Sequence, residues 1–254
     1  MEKKLVEKVV VVTGGTSGIG FAIAEEFAKK GARVVITGRS QKRLDEAVSS
    51  IGNNCTGIET DVSNIQGMRN LLEKVKKDFG ALDVVVANAA VGEHAPISSI
   101  TEKQFDTMVN TNFKGVLFMV QSAIALMQSG GSIILIGSTG SVAPPPGMSV
   151  YSALKAALRM MMRSIMQDIK GSGIRINLLS PGAVDTVSLR DALAKASGPE
   201  KVDEFVKAMG LKSPMGRIGQ PMEIAKIASF LASDDATYIN GIELFADGGL
   251  TQVV

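Results

Sequence analysis

One octet constrains this chain more than any other stretch. "TGGTSGIG", Thr13–Gly20, follows the apolar β-branched run Lys8–Thr13 and opens into "IGFAIAEEFAKKG", whose apolar residues recur at helical spacing. In a strand–turn–helix unit of this kind the glycines have separate physical tasks. Gly14 permits the tight turn, Gly18 lets a pyrophosphate approach the backbone, and Gly20 allows the helix to pack closely. Ser17 and Ile19 complete the loop at the helix N-terminus, where free amides and the positive dipole end favour phosphate. A glycine cluster alone is weak evidence; strand, turn and helix in this order make it strong.

The rest of the chain repeats the alternation. Short apolar runs at Lys8–Thr13, Arg33–Thr37, Leu82–Asn88, Gly131–Ser138 and Ile174–Ser180 read as strands covered on both faces. Helical patterns at Ile19–Lys30, Gln41–Ile51, Ile65–Phe79, Thr101–Met127 and Val150–Lys170 lie between them. A last helix near Pro221–Ala232 and a strand at Ile242–Ala246 close the series. This is a single α/β domain over residues 1–254, a doubly wound parallel sheet of about seven strands with helices on both faces. Val187–Lys212 breaks the rhythm, and a movable cover over a site is one use for such an insertion, an ordinary surface excursion the other.

Composition removes several classes of function. With one cysteine, Cys55, and one histidine, His94, structural zinc, zinc-dependent dehydrogenase chemistry and an internal disulfide are excluded. A Ser-His-Asp hydrolase would have to use His94, and no nucleophile elbow lies near it. Lys and Arg number 27 against 25 for Asp and Glu, so no global field steers the chain toward nucleic acid or anionic membrane, and a small-molecule partner is expected. The charged start "MEKKLVEK" precedes an apolar run too short for a signal peptide, and with no membrane span in sight the cytoplasm is the expected location.

Of the two tyrosines, Tyr151 has a lysine, Lys155, four residues on, so that on a helix phenol and ammonium share a face. A cation there favours phenolate and is expected to draw the tyrosine pKa down, which suits general acid/base work. Tyr238 lacks such a neighbour and reads as a packing residue.

These motifs together resemble the short-chain dehydrogenase/reductase family. The turn follows its TGxxxGxG spacing. "LDVVVANAA" is similar to its NNAG element with Asn88 retained, although Ala87 and Ala90 depart from the commonest form. "VNTNFKG" carries Asn112, "LIGSTGS" carries Ser138, "YSALK" carries Tyr151 and Lys155, and "SPGAVDT" carries Pro181, Gly182, Val184 and Thr186. The ending "YINGIELFADGG" is similar to the family's last strand and turn. The resemblance spans nearly the whole chain and implies a Rossmann-type fold and a nicotinamide-dependent carbonyl reductase or alcohol dehydrogenase. It further implies that Ser138 hydrogen-bonds the substrate oxygen, that Tyr151 gives that oxygen a proton, and that Lys155 lowers the tyrosine pKa and holds the nicotinamide ribose. Asn112 would fix a proton-relaying water, or else be a buried amide bonding a carbonyl. Asp61 and the Val62 amide would contact adenine, although Asp61 also suits a helix cap.

The second strand ends "VVITGRS", with Gly38 where an NAD-specific site places a carboxylate. Arg39 and Ser40 follow, so NADP(H) is expected over NAD, unless Arg39 is simply solvated. Three prolines between Ser138 and Tyr151 argue against a 3-oxoacyl-carrier-protein reductase; a sugar dehydrogenase is the other enzymatic alternative, and a non-catalytic nucleotide-binding protein would have lost Tyr151 or Lys155. An apolar substrate pocket is expected from Val142, Pro144, Met148 and Val184, with the Val187–Lys212 segment above it. Met160–Met162 and Met166 read as core or interface filling or an access path, and His94 as a residue at the substrate mouth or a surface histidine. Excess apolar positions on the two long helices, with the family's interfaces, imply a homotetramer.

Overall fold

The computed structural model describes residues 5–253; the charged start Met1–Lys4 of the leader reading lies outside them. Seven parallel strands form one sheet in the order β3-β2-β1-β4-β5-β6-β7. They are β1 (Val9–Val12), β2 (Arg33–Gly38), β3 (Cys55–Glu59), β4 (Val84–Ala87), β5 (Ser132–Ile136), β6 (Arg175–Pro181) and β7 (Glu243–Ala246). The helices are α1 (Gly18–Lys29), α2 (Gln41–Ile51), α3 (Ile65–Phe79), α4 (Glu102–Val109), α5 (Gly115–Ile124), α6 (Ser149–Asp168), α7 (Val187–Ser197), α8 (Val202–Gly210) and α9 (Pro221–Ala232).

Strand alternation divides the interior into two cores. Val10, Val12, Val84, Val86, Ile134 and Ile136 face α1, α2 and α9, with Phe27 and Ile23 of α1 fully buried among them. Val9, Val11, Val85, Ile133 and Leu135 point to the opposite face, against α3, α5 and α6. Continuous valine runs are thus explained by burial on both sides of the sheet. Because the strand order reverses between β1 and β4, the connections leave a crevice beyond the carboxyl ends of these two strands, and there the glycine turn sits.

Three features differ from the sequence reading. β3, "CTGIE", was not among the expected strands; it pairs only with β2 at the sheet edge, and Cys55 is its one buried residue. The pattern Thr101–Met127 is two helices rather than one, joined by a wide π-type turn at Asn110–Lys114. Tyr238 is fully exposed and packs against nothing, contrary to the expectation of a packing residue. The methionines divide: Met162 is core, Met161 and Met166 pack against it, and Met160 points outward.

Candidate active site

A cleft of about 530 Å³ runs across the carboxyl ends of the strands. Gly14, Ser17, Gly18, Ile19 and Gly20 line its middle, Arg39, Ser40, Asp61 and Val62 one end, and Ser138, Tyr151 and Lys155 the other. Asn88, Pro181, Gly182 and Thr186 complete the wall.

The glycine turn is built for close approach. Gly14 and Gly18 have φ of 65° and 57°, a region costly for any residue with a Cβ. A Cβ on Gly20 would collide with the Gly14 carbonyl oxygen, and one on Gly18 would meet Thr186 Cγ2 at 3.2 Å. Asn88 holds this turn: its Nδ2 donates to the carbonyls of Thr13 (2.9 Å) and Gly14 (3.2 Å), while Thr13 Oγ1 accepts from the amides of Asn88 and Ala89. Ser17 is the N-cap of α1 with no side-chain bond of its own. A diphosphate fits this cradle, since bare backbone and a helix N-terminus face it without side-chain obstruction.

At the far end of β2 the cleft meets two arginines, Arg39 and Arg43. Arg43 was missed in the sequence, yet its position was a signal, for the first turn of α2 carries Lys42 and Arg43 and no acid, against the helix dipole. Thr16, also missed, fills the space beside Gly38: a Cβ there would lie 2.7 Å from Thr16 Cγ2. Ser40 caps α2 by accepting from the Arg43 amide at 3.5 Å. Asp61 accepts from the amide and hydroxyl of Ser63 and is not the cap of α3, which is Asn64.

Three groups meet at the other end. Ser138 follows β5 and starts the short turn Thr139–Ser141, accepting from the Gly140 amide at 3.1 Å. Its hydroxyl also hydrogen-bonds Tyr151 on the first turn of α6. Lys155, one turn on, is 3% exposed; its Nζ donates to the Ile136 carbonyl at 2.6 Å and lies 5.6 Å from the centre of the Tyr151 ring. Burial raises the Tyr151 phenol above its ordinary value, with the Ser138 hydrogen bond opposing the rise, and burial brings Lys155 down to about 8. The expected lowering of the phenol by Lys155 is not what sets its direction: burial raises it, and the opposing influence is Ser138.

Two expected residues stand back from the cleft. Asn112, in the wide turn between α4 and α5, spends its amide on Val91, accepting from the Val91 N–H (2.8 Å) and donating to its carbonyl (2.7 Å). These bonds connect Asn112 to the site through Val91, which lines the cleft. Val184 is buried in the core beside α9, its backbone bridged to Gly219. His94, exposed, rests against Gly147 four residues before Tyr151. The Val187–Lys212 segment forms α7 and α8, clipped together by Arg190, which donates to Asp185 at the root of α7 and to Asp203 on α8.

Comparison with known proteins agrees with this geometry. The sequence model described as enoyl-(acyl carrier protein) reductase matches residues 14–251. Oxidoreductase asL5 of Sarocladium schorii is 40% identical over 99% of this chain and 98% of its own. The NADP-dependent (R)-specific alcohol dehydrogenase of Lentilactobacillus kefiri is 34% identical, covering 99% of each chain. The ligand-free structure of aldohexose dehydrogenase from Thermoplasma acidophilum superposes with a TM-score of 0.91 at 30% identity, over 100% of this chain and 98% of that one. With a glycine cradle at a sheet switch point, a Ser-Tyr-Lys group at its far end and relatives matching end to end, the chain belongs to the short-chain dehydrogenase/reductase family of oxidoreductases.

Proposed function

We propose that the protein reduces ketones or aldehydes to alcohols with NADP(H). The observation that carries this reading is a single cleft with two arginines at one end and, at the other, Ser138 and Tyr151 beside the buried Lys155. NADPH bound along the cleft would supply the hydride. Around it, Gly14 to Gly20 take the diphosphate, Asp61 and the Val62 amide the adenine, Arg39, Ser40 and Arg43 the 2′-phosphate, and Pro181, Gly182 and Thr186 the nicotinamide side. Ser138 Oγ donates to the carbonyl oxygen of the substrate. As the carbonyl carbon gains the hydride, Tyr151 Oη delivers its proton to that oxygen, and the resulting phenolate is stabilised by the Lys155 ammonium. Asn112 keeps Val91 in place beside the reacting groups.

Apolar side chains frame the substrate side. Met148 stands beside Tyr151 across Gly92, and Val142 and Val187, near the cleft-lining Ser138 and Thr186 in sequence, are 47% and 58% exposed, which favours an apolar substituent over a free sugar. Val184, turned into the core, takes no part in that wall. The α7–α8 segment acts as the cover. A second reading, sugar oxidation, is favoured by the aldohexose dehydrogenase among the structural neighbours.

One assay series tests both. Activity is expected with aryl and alkyl ketones, with kcat/KM for NADPH exceeding that for NADH by tenfold or more, on the order expected of a charge-assisted contact. Tyr151→Phe is expected to lower kcat by at least about 10²-fold while cofactor affinity stays within a few fold. Preferential oxidation of free sugars, or a cofactor ratio at or below about one, overturns the respective part of the reading.

A further inference from the structure

A second polar cluster lies outside the cleft, on the far side of the reacting group. Glu243 of β7 is a carboxylate in an otherwise apolar strand, and its side chain is only 7% exposed. Its Oε2 accepts from Arg159 Nε of α6. Its Oε1 accepts from Ser141 Oγ at 2.9 Å and from Ser180 Oγ of β6 at 2.8 Å, and Arg159 Nη2 donates to Ser141 Oγ at 3.2 Å. Four segments distant in sequence converge on one carboxylate. Such a pair is a poor route to stability: the Glu243 carboxylate is desolvated while Arg159 stays 26% exposed, and an apolar side chain in the place of Glu243 would serve as well or better.

Its connections point to the chemistry. Ser141 ends the short turn that begins at Ser138. Arg159 continues the face of α6 that carries Tyr151 and Lys155, one further turn along. We propose that Arg159 and Glu243 are positioning residues for the reacting pair, fastening through Ser141 the turn that bears Ser138 to the helix that bears Tyr151. This rests on the reading of Ser138 and Tyr151 as reacting groups. The geometry required is narrow, because the Ser138 hydroxyl must meet both the phenol and the substrate oxygen, and small misplacements of such groups are costly to rate. Neither Arg159 nor Glu243 lines the cleft, so the effect is expected in kcat and not in cofactor affinity.

The chain offers a direct spectroscopic readout, for it contains no tryptophan and only Tyr151 and Tyr238. In a Tyr238→Phe background the phenolate absorbance reports Tyr151 alone. The charged group facing that ring is Lys155; its other neighbours, Ser138, Gly92 and Met148, carry no charge. Ser141→Ala cuts the tie and leaves the Arg159–Glu243 pair, whereas Ser141→Thr keeps the hydroxyl. Expected for Ser141→Ala is a Tyr151 midpoint moved upward, as the Ser138 hydrogen bond loosens, with Ser141→Thr close to the wild type. With NADPH and acetophenone, kcat is expected to fall about tenfold in Ser141→Ala and in Arg159→Met/Glu243→Leu, with the Kd for NADPH within about twofold. A Ser141→Ala midpoint and kcat both at wild-type values overturn the proposal, as does a Ser141→Thr variant as impaired as Ser141→Ala. Should the double variant fail to fold, the two Ser141 variants decide. If Tyr151→Phe retains activity, the reading of the reacting pair fails; if it does not and Ser141→Ala is silent, only the positioning role fails.

Discussion

Lys155 is an ammonium taken out of water, and its pKa of about 8 against an ordinary 10.5 is the measure of that burial. Below about pH 8 both folded and unfolded chains hold the proton, and the folded state bears the full desolvation cost, on the order of 3 kcal/mol. Between 8 and 10.5 the unfolded chain binds more proton, so stability from this group rises with pH; above 10.5 the cost is gone. Urea unfolding of the cofactor-free protein and of Lys155→Met at pH 7.5 and 9.5 checks this. The wild type is expected to gain roughly 2 kcal/mol relative to the variant across that interval, and a pH-independent difference contradicts it. Gly38 illustrates a different residue-level constraint. The sequence suggests that an acid there converts the preference to NADH, but Thr16 Cγ2 already occupies the position its Cβ would crowd. Gly38→Asp/Arg39→Ala alone is therefore expected to lose activity with both cofactors. Adding Thr16→Ser removes the obstructing methyl and moves the NADH-to-NADPH ratio of kcat/KM up by tenfold or more; equal ratios with and without Thr16→Ser contradict the steric coupling. The Tyr151–Lys155 pair and the glycine turn that line the cleft were legible because they are contiguous motifs. Arg43 and Thr16 were not, since their relevance is a matter of which side chains the β2–α2 junction and the glycine turn bring together.

At the scale of elements, legibility followed apolar composition. β1, β4, β5 and β6 are buried along their whole length and β2 over its middle four residues, and apolar runs announce them, broken in β6 by Asn177. β3 lies at the edge with Gly57 and polar residues in its short span, so nothing in its composition separates it from a loop. The break between α4 and α5 was hidden for the opposite reason, because the helical period persists through Asn110–Lys114 and no proline interrupts it. What opens that turn is tertiary: Asn112 reaches across to both backbone groups of Val91. A widened helical turn at a site wall thus answers to a neighbouring loop, which local periodicity does not encode. Helix starts were easier, with Ser40, Asn64 and Thr101 each accepting from an amide three residues on.

At the scale of the whole molecule, two groups of exposed apolar residues lie on separate elements. Met160 on α6 is 65% exposed and Phe105 on the neighbouring α4 is 48% exposed. On another side, next to the edge strand β7, Tyr238 is fully exposed and Phe230 and Ile242 are each 40% exposed. Two self-complementary patches on one subunit generate closed dihedral symmetry, since each makes a two-fold contact and together they close at four copies. We expect a homotetramer in which the α4–α6 face forms one interface and the β7 side the other. Sedimentation velocity at micromolar concentration is expected to give a single tetrameric species. A lysine at the centre of one patch puts a charge where its own copy must pack, so Met160→Lys and Ile242→Lys are each expected to give dimers. Together they are expected to give monomers that retain the secondary structure of the parent. An unmodified chain sedimenting as a monomer contradicts the arrangement, and so does a tetramer unaffected by either lysine, because the contacts would then lie on other faces.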